Sequence, residues 1–298
     1  MKIGIALGGG GAKGFAHIGV LKSLARAGIE FDVVAGTSIG ALVGAAYAAG
    51  SLKKLEEIST KITLKDIPLF LGPTWPKQGL FSGRKVLKLL TEIIEVDKIE
   101  DLKKPFAAVC VDLKNEEIVT LTEGNLHQAV RASIAIPAVF TPVVSEGKFL
   151  VDGGVLEPIP VQAARHLGAD FIVAVDLLAS SRFEMTDPEA QTILKEEPLP
   201  STIEDNSLVK KIDSILKSRL REPGIIDIIQ RTSVVTQKSL TAYRLKEYPP
   251  EFVIRPSLSR VGILDFHRGS STIKIGEKAA KDALQKLIEE IRKMQDAG

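Results

Sequence analysis

Short apolar runs alternate with stretches of helical apolar spacing through the first 178 residues. IGIAL at 3–7 and VVAG at 33–36 have strand length, and each is followed by a segment with helical character, the first over about 15–27 and the second running, after a Thr-Ser bend, to about Ala49. Further strands are predicted at 106–113 (FAAVCVDL), 117–123 (EIVTLTE), 148–152 (KFLVD) and 171–177 (FIVAVDL). Helices are predicted across 126–135 and 160–168. This rhythm is that of an α/β chain, with a mainly parallel central sheet covered by helices.

The pattern changes after Leu178. Residues 180–206 are polar, acidic and punctuated by proline, which reads as an exposed loop or insertion. Beyond it, 207–220 and 225–245 are helical by periodicity, 251–256 is a late strand, and 271–294 is an amphipathic terminal helix. The expected organisation is a core over 1–178. Residues 179–298 form a loop insertion and a helical C-terminal extension that complete or cover this core within a single globular unit. One stretch, 33–50, imitates a membrane span in length and small-residue spacing. Its strand-like opening and polar Thr-Ser bend argue against that reading.

Composition narrows the function classes. The chain has 298 residues, 45% of them hydrophobic, enough to bury a sizeable core. Its 39 basic and 37 acidic side chains nearly cancel, which gives no general attraction to nucleic acid. Cys110 is the only cysteine and sits in an apolar run, so neither a disulfide framework nor a cysteine zinc site is expected. The first residues hold one lysine and only five further residues before a glycine run, too short for a signal peptide, and a cytoplasmic location is expected. His17, His127, His166 and His267 fall at no ligand spacing, so no metal is expected, and no motif calls for an organic cofactor.

Three motifs carry candidate chemistry. GTSIG at 36–40 fits GxSxG between an apolar strand and a small-residue helix, the setting of a nucleophile elbow with Ser38 at its tip and Gly36 and Gly40 on either side. On this motif alone, a serine that only caps a helix fits equally well. GGGGAKG at 8–14 follows a strand and precedes a helix, where several backbone N–H groups can converge on an anion. That anion could be the oxygen of a tetrahedral intermediate. It could also be a pyrophosphate, because Gly9, Gly11 and Gly14 satisfy GxGxxG; the acid expected about 20 positions on would be Asp32, at the wrong end of its strand. A magnesium P-loop is ruled out because Lys13 is followed by Gly14 and not by serine or threonine. VDGG at 151–154 ends a strand in Asp152, and Gly153 and Gly154 allow a sharp turn. A carboxylate there could take a serine proton if it lies within hydrogen-bond reach, and burial would raise its basicity. The plainer role is an Asp capping its own turn.

Together with RASIAIPAVFTPV at 131–143, these motifs resemble the patatin-like phospholipases, particularly compact bacterial members, over roughly residues 3–178. The resemblance implies a three-layer α/β/α fold and a Ser38–Asp152 dyad without histidine, in which Ser38 is the nucleophile and Asp152 the proton acceptor. It also implies an oxyanion hole from the amides around Gly9, Gly10 and Gly11, with Lys13, Gly14, Gly36, Gly40, Gly153 and Gly154 as motif support. The expected activity is hydrolysis of lipid acyl esters, of phospholipase A or lysophospholipase type. Acyl transfer by the same dyad, a nucleotide-binding protein, and a non-catalytic lipid-binding module are the competing readings. Residues 67–81 combine Leu69, Phe70, Leu71, Trp75 and Phe81 with prolines and glycines. They suit a lid or a peripheral contact with the inner membrane surface, and equally a buried plug.

Overall fold

A computed structural model describes residues 1–66, 81–180 and 225–296. The chain divides into two compact units, Met1–Ser181 with Thr236–Gly298, and Arg182–Val235. The first unit holds the sheet and the candidate site. Of the segments read above, the lid (67–81) apart from Phe81, the polar loop (180–206) apart from Ser180, and the helix at 207–220 lie outside the described residues.

In chain order the first unit contains β1 (Ile3–Leu7), α1 (Phe15–Arg26), β2 (Val33–Thr37), α2 (Ile39–Ala49), α3 (Leu52–Ser59) and α4 (Arg84–Ile93). Next come β3 (Phe106–Asp112), β4 (Glu117–Leu121), α5 (Leu126–Ser133), β5 (Val143–Ser145), β6 (Lys148–Asp152), α6 (Val161–His166) and β7 (Phe171–Val175). Helix α7 (Ile225–Glu247) enters this unit at Thr236 and is followed by β8 (Phe252–Ile254) and α8 (Gly269–Asp296). The helices α3 and α4 and the short strand β5 are absent from the sequence reading. Residues 33–50, which mimic a membrane span, instead form a strand and a helix that meet at Ser38. Among the described residues no helix is long and apolar enough to cross a membrane.

The sheet is mostly parallel. Strands β3, β2, β1, β7 and β8 lie side by side in that order and all run the same way. Its two faces are read directly from strand alternation. Ile5, Leu7, Val34, Phe106, Ala108, Phe171, Val173 and Val175 enter the larger core beneath α1, α2, α5 and α8. Ala6, Val33, Ala35, Ala107, Val109, Ile172 and Ala174 enter a smaller one beneath α6. Small residues on the second face let α6 lie close to the strands. The result is the three-layer α/β/α arrangement.

At β3 the pairing departs from a simple ladder. Strand β4 pairs with Ala108–Asp112 along one edge. Strand β2, parallel, and β6, antiparallel, must therefore share the other edge, with Thr37 opposite Val109 and Asp152 opposite Cys110. Their C-terminal ends face each other across one residue step of β3.

Helix α8 lies against α1 at backbone distance. A Cβ on Gly276 would stand 1.9 Å from the Ala16 carbonyl oxygen, and one on Gly19 would stand 2.0 Å from that of Ile273. Lys22 and Arg26 of α1 flank this seam with ion pairs to Glu277. Gly276→Ala should destabilise the fold by about 2–3 kcal/mol in urea unfolding, because backbone and not a flexible side chain must move. Lys278→Ala, exposed on the same helix, should stay within about 0.5 kcal/mol. Equal effects would mean that the seam is loose.

Candidate active site

Ser38 sits between the end of β2 and the start of α2 with φ 57° and ψ −128°. A non-glycine residue in that region costs on the order of 1–3 kcal/mol, so its surroundings must hold it there. Glycines make the turn sterically possible. A Cβ on Gly40 would lie 2.1 Å from the Leu7 carbonyl oxygen, and one on Gly36 2.4 Å from backbone atoms of Gly40 and Ala41. Helix α2 is thereby set directly on the ends of β1 and β2.

The Ser38 side chain does not cap α2. Its carbonyl accepts from the amides of Ala41 (2.9 Å) and Leu42 (3.3 Å), while Oγ donates to Asp152 Oδ2 at 2.5 Å. The plain capping role is thus set aside by geometry. Asp152 keeps some of its own, since Oδ1 accepts from the Gly154 amide at 2.7 Å. Its carboxylate serves the turn with one oxygen and Ser38 with the other. Both side chains are buried, at 5% and 4% exposure. Burial pushes the Asp152 carboxyl up from 3.8 to about 6, against the opposing bonds from Ser38 and Gly154.

The glycine run crosses directly in front of this pair. A Cβ on Gly9 would stand 3.3 Å from Ser38 Cβ. The Gly9 amide, however, donates to the Pro158 carbonyl oxygen at 2.9 Å. Gly10 and Gly11 follow, and among the described residues nothing accepts from their amides. Gly11 takes φ 58°, a conformation natural to glycine, where a Cβ would also stand 2.3 Å from the Ile263 carbonyl oxygen. Gly14 is packed against Ile39 of α2. Lys13 is buried beside the loop; desolvation first, then Lys238, lowers it to about 8, with Asp265 opposing.

Three residues outside the glycine, GTSIG and VDGG motifs complete the surroundings, and sequence reasoning gives none of them a role. The Ser133 hydroxyl accepts from the Ser38 amide and donates to the Val109 carbonyl. Glu157 is buried and paired with Arg244 of α7, which also donates to Gln162 Oε1 at 2.9 Å. The Glu157 carbonyl accepts from Thr37 Oγ1 at 2.8 Å, and its amide donates to the Gly153 carbonyl at 2.8 Å. The stretch 153–158 therefore touches the elbow, the acid turn and the glycine loop. A local signal existed only for Ser133, which lies within RASIAIPAVFTPV.

Histidines do not join the pair. His17 is fully buried and lowered to about 4 by desolvation, so it is neutral at pH 7, and Nε2–H donates to the Gly8 carbonyl at 2.8 Å. His127 Nε2 lies 2.9 Å from the Ile94 carbonyl oxygen. Asp32, the acid a dinucleotide ribose would need, binds the Ile3 amide at 2.7 Å, at the opposite end of β1 from the glycine loop. The pyrophosphate reading has no ribose acid there.

The chain is similar to several known proteins. An uncharacterised NTE family protein of Mycobacterium tuberculosis is 29% identical over 95% of this chain and 91% of its own length. Patatin-like phospholipase domain-containing protein 7 of Rattus norvegicus is 33% identical over 62% of this chain, and lysophospholipase NTE1 of Pyricularia oryzae is 27% identical over 97%. This chain spans only 14% and 19% of those two longer proteins. The family model described as patatin-like phospholipase matches residues 5–165, more than half of the chain and all three motifs, and the protein therefore belongs to the patatin-like phospholipase family of lipid-ester hydrolases.

Proposed function

We propose that this protein is a serine hydrolase of lipid acyl esters, of phospholipase A or lysophospholipase type, working through a Ser38–Asp152 dyad. The hydrogen bond from Ser38 Oγ to Asp152 Oδ2, made by a serine in a strained elbow, carries the reading. The lysophospholipase name borne by the Pyricularia relative supports the substrate class.

In the reaction, Asp152 takes the Ser38 proton as Oγ attacks the acyl carbonyl carbon. The developing oxyanion is held by the amides of Gly10 and Gly11, because that of Gly9 is spent on Pro158. Asp152 then returns the proton to the departing alcohol. Water attacks the acyl-enzyme in turn, with Asp152 again as base, and the fatty acid leaves. A carboxylate of ordinary pKa would be a weak base for this work. Lifting it to about 6 strengthens it while leaving it mostly ionised at pH 7. Substrate reaches the site from a lipid aggregate in this reading, and the apolar segment 67–81 is the proposed membrane contact.

A fluorophosphonate probe should add to Ser38, as located by mass. The adduct should be absent in Ser38→Ala and formed at least about 100-fold more slowly in Asp152→Asn, in line with loss of general-base help. An adduct elsewhere, or none on folded protein, would remove the dyad reading. With a short soluble ester, kcat/KM should rise with pH and reach half its plateau near 6, where Asp152 becomes the base form. A profile flat from pH 5 to 8 would be incompatible with Asp152 as the base.

Stability should move the other way. A raised carboxyl keeps its full contribution below the unfolded value of 3.8 and loses it as pH rises through about 6. Asp152→Asn removes the titration. Its stability relative to the natural protein should therefore grow by roughly 2–3 kcal/mol between pH 4 and pH 8 in urea unfolding. No growth would mean that the carboxylate is better solvated than its burial implies.

A further inference from the structure

Where β2 leaves β3, the Ser38 amide and the Val109 carbonyl no longer reach each other directly, and the Ser133 hydroxyl fills the gap. Ser133 Oγ accepts from Ser38 N at 2.9 Å and donates to Val109 O at 2.6 Å, with no exposure to solvent. Two residues on, the Ala135 carbonyl accepts from the Asp152 amide at 3.0 Å. One short segment, running on from the last residue of α5, thus grips the backbone of both Ser38 and Asp152.

We propose that Ser133 is a positioning residue for the reaction, holding the nucleophile in line with its base through the Ser38 backbone. The proposal rests on the reading of Ser38 and Asp152 as the dyad. The gap requires one heavy atom that both accepts from an N–H and donates to a carbonyl, which a serine or threonine hydroxyl does. Alanine would leave a donor and an acceptor facing each other, buried and unpaired. With its amide untethered, Ser38 is no longer held at positive φ and can relax, carrying Oγ away from Asp152. Binding of the acyl chain does not depend on this hydroxyl, whereas alignment at the reacting carbon does. An error of about 1 Å in such alignment can cost on the order of 100-fold in rate.

The test compares Ser133→Ala and Ser133→Thr with the natural protein. It measures kcat and KM on a short soluble ester, the rate of fluorophosphonate labelling, and the far-ultraviolet circular dichroism of each protein. Ser133→Ala should lose about 10- to 100-fold in kcat and in labelling rate, with KM within about twofold and the pH midpoint still near that of the natural protein. Ser133→Thr, which keeps the hydroxyl, should recover most of the rate. If Ser133→Ala does not fold, Ser133→Cys takes its place: the thiol fills the space with weaker, longer bonds and should lower kcat in the same manner. A folded Ser133→Ala or Ser133→Cys with natural kcat and labelling rate overturns the proposal, as does a loss confined to KM. Ser38→Ala separates the two claims. Turnover surviving in Ser38→Ala sinks the dyad itself; turnover lost there but unchanged in the Ser133 variants sinks only the positioning role.

Discussion

Strand β3 works as a splint. Two strands lie end to end along one of its edges, β2 running with it and β6 against it, so that their C-terminal ends converge at Val109 and Cys110. Everything at the site follows from this convergence. Neither chain can continue, and both must leave the sheet within one residue. The first leaves by the Ser38 elbow into α2, and the second by the tight turn that begins at Gly153. A Cβ at Gly153 would stand 2.3 Å from the Val109 carbonyl oxygen, the same oxygen that accepts from Ser133. Sheet pairing thereby delivers a hydroxyl and a carboxylate to one point without a loop having to search for it.

Two buried acids lie five residues apart, and their surroundings give them different chemistry. Glu157 is raised by burial but opposed by Arg244, whose guanidinium is its bonding partner. Removing that cation would strand a charge, and breaking such a pair typically costs about 3–5 kcal/mol. Among the described residues, Asp152 accepts from a hydroxyl and from one amide, and its carboxyl stays up near 6. Glu157 is thus a fastening between α7 and the stretch that supports the elbow and the glycine loop. In the proposed reaction it is Asp152 that exchanges a proton. Cys110, its partner across the ladder, is pushed up by burial and then by Asp152 itself, and remains an inert thiol.

What could be read from the sequence was local. A strand followed at once by GTSIG and a small-residue helix offers an elbow or a plain helix cap equally, and the Ser38 side chain, which does not cap α2, is what separates them in the fold. Strand alternation at Ile5, Ala6 and Leu7 likewise tells which face is which. Helices α3 and α4 went unread, although Leu90 and Ile93 of α4 are buried, because their surroundings lack the strand-helix rhythm that marks the core. The roles of Glu157 and Arg244 could not be read at all, and Ser133 was marked only by its place in RASIAIPAVFTPV, without its contact to Ser38. Ser133 meets Ser38 across 95 positions, and Arg244 meets Glu157 across 87, so no window of sequence contains either contact. The glycine run shows the same limit more finely. It announces a bank of amides, but only the fold reveals that Gly9 gives its own to Pro158.

The absence of histidine from the proposed pair has a physical consequence for the rest of the fold. A neutral imidazole is a competent base in water, whereas a carboxylate becomes one only when it is dried, and the rise of Asp152 from 3.8 to about 6 corresponds to roughly 3 kcal/mol of added proton affinity. The protein supplies that drying through burial, and in the proposed reaction water comes to Asp152 only as the reactant that releases the fatty acid. Small residues around the junction contribute to the drying: Gly36, Gly40 and Ala41 bring α2 down onto the strands, and Ser133 bridges the remaining gap with a hydroxyl that both accepts and donates. In the proposed mechanism, close packing is therefore part of the base. Loosening the sheet-to-helix contact near Ser38 would weaken Asp152 as a proton acceptor even with every catalytic atom in place.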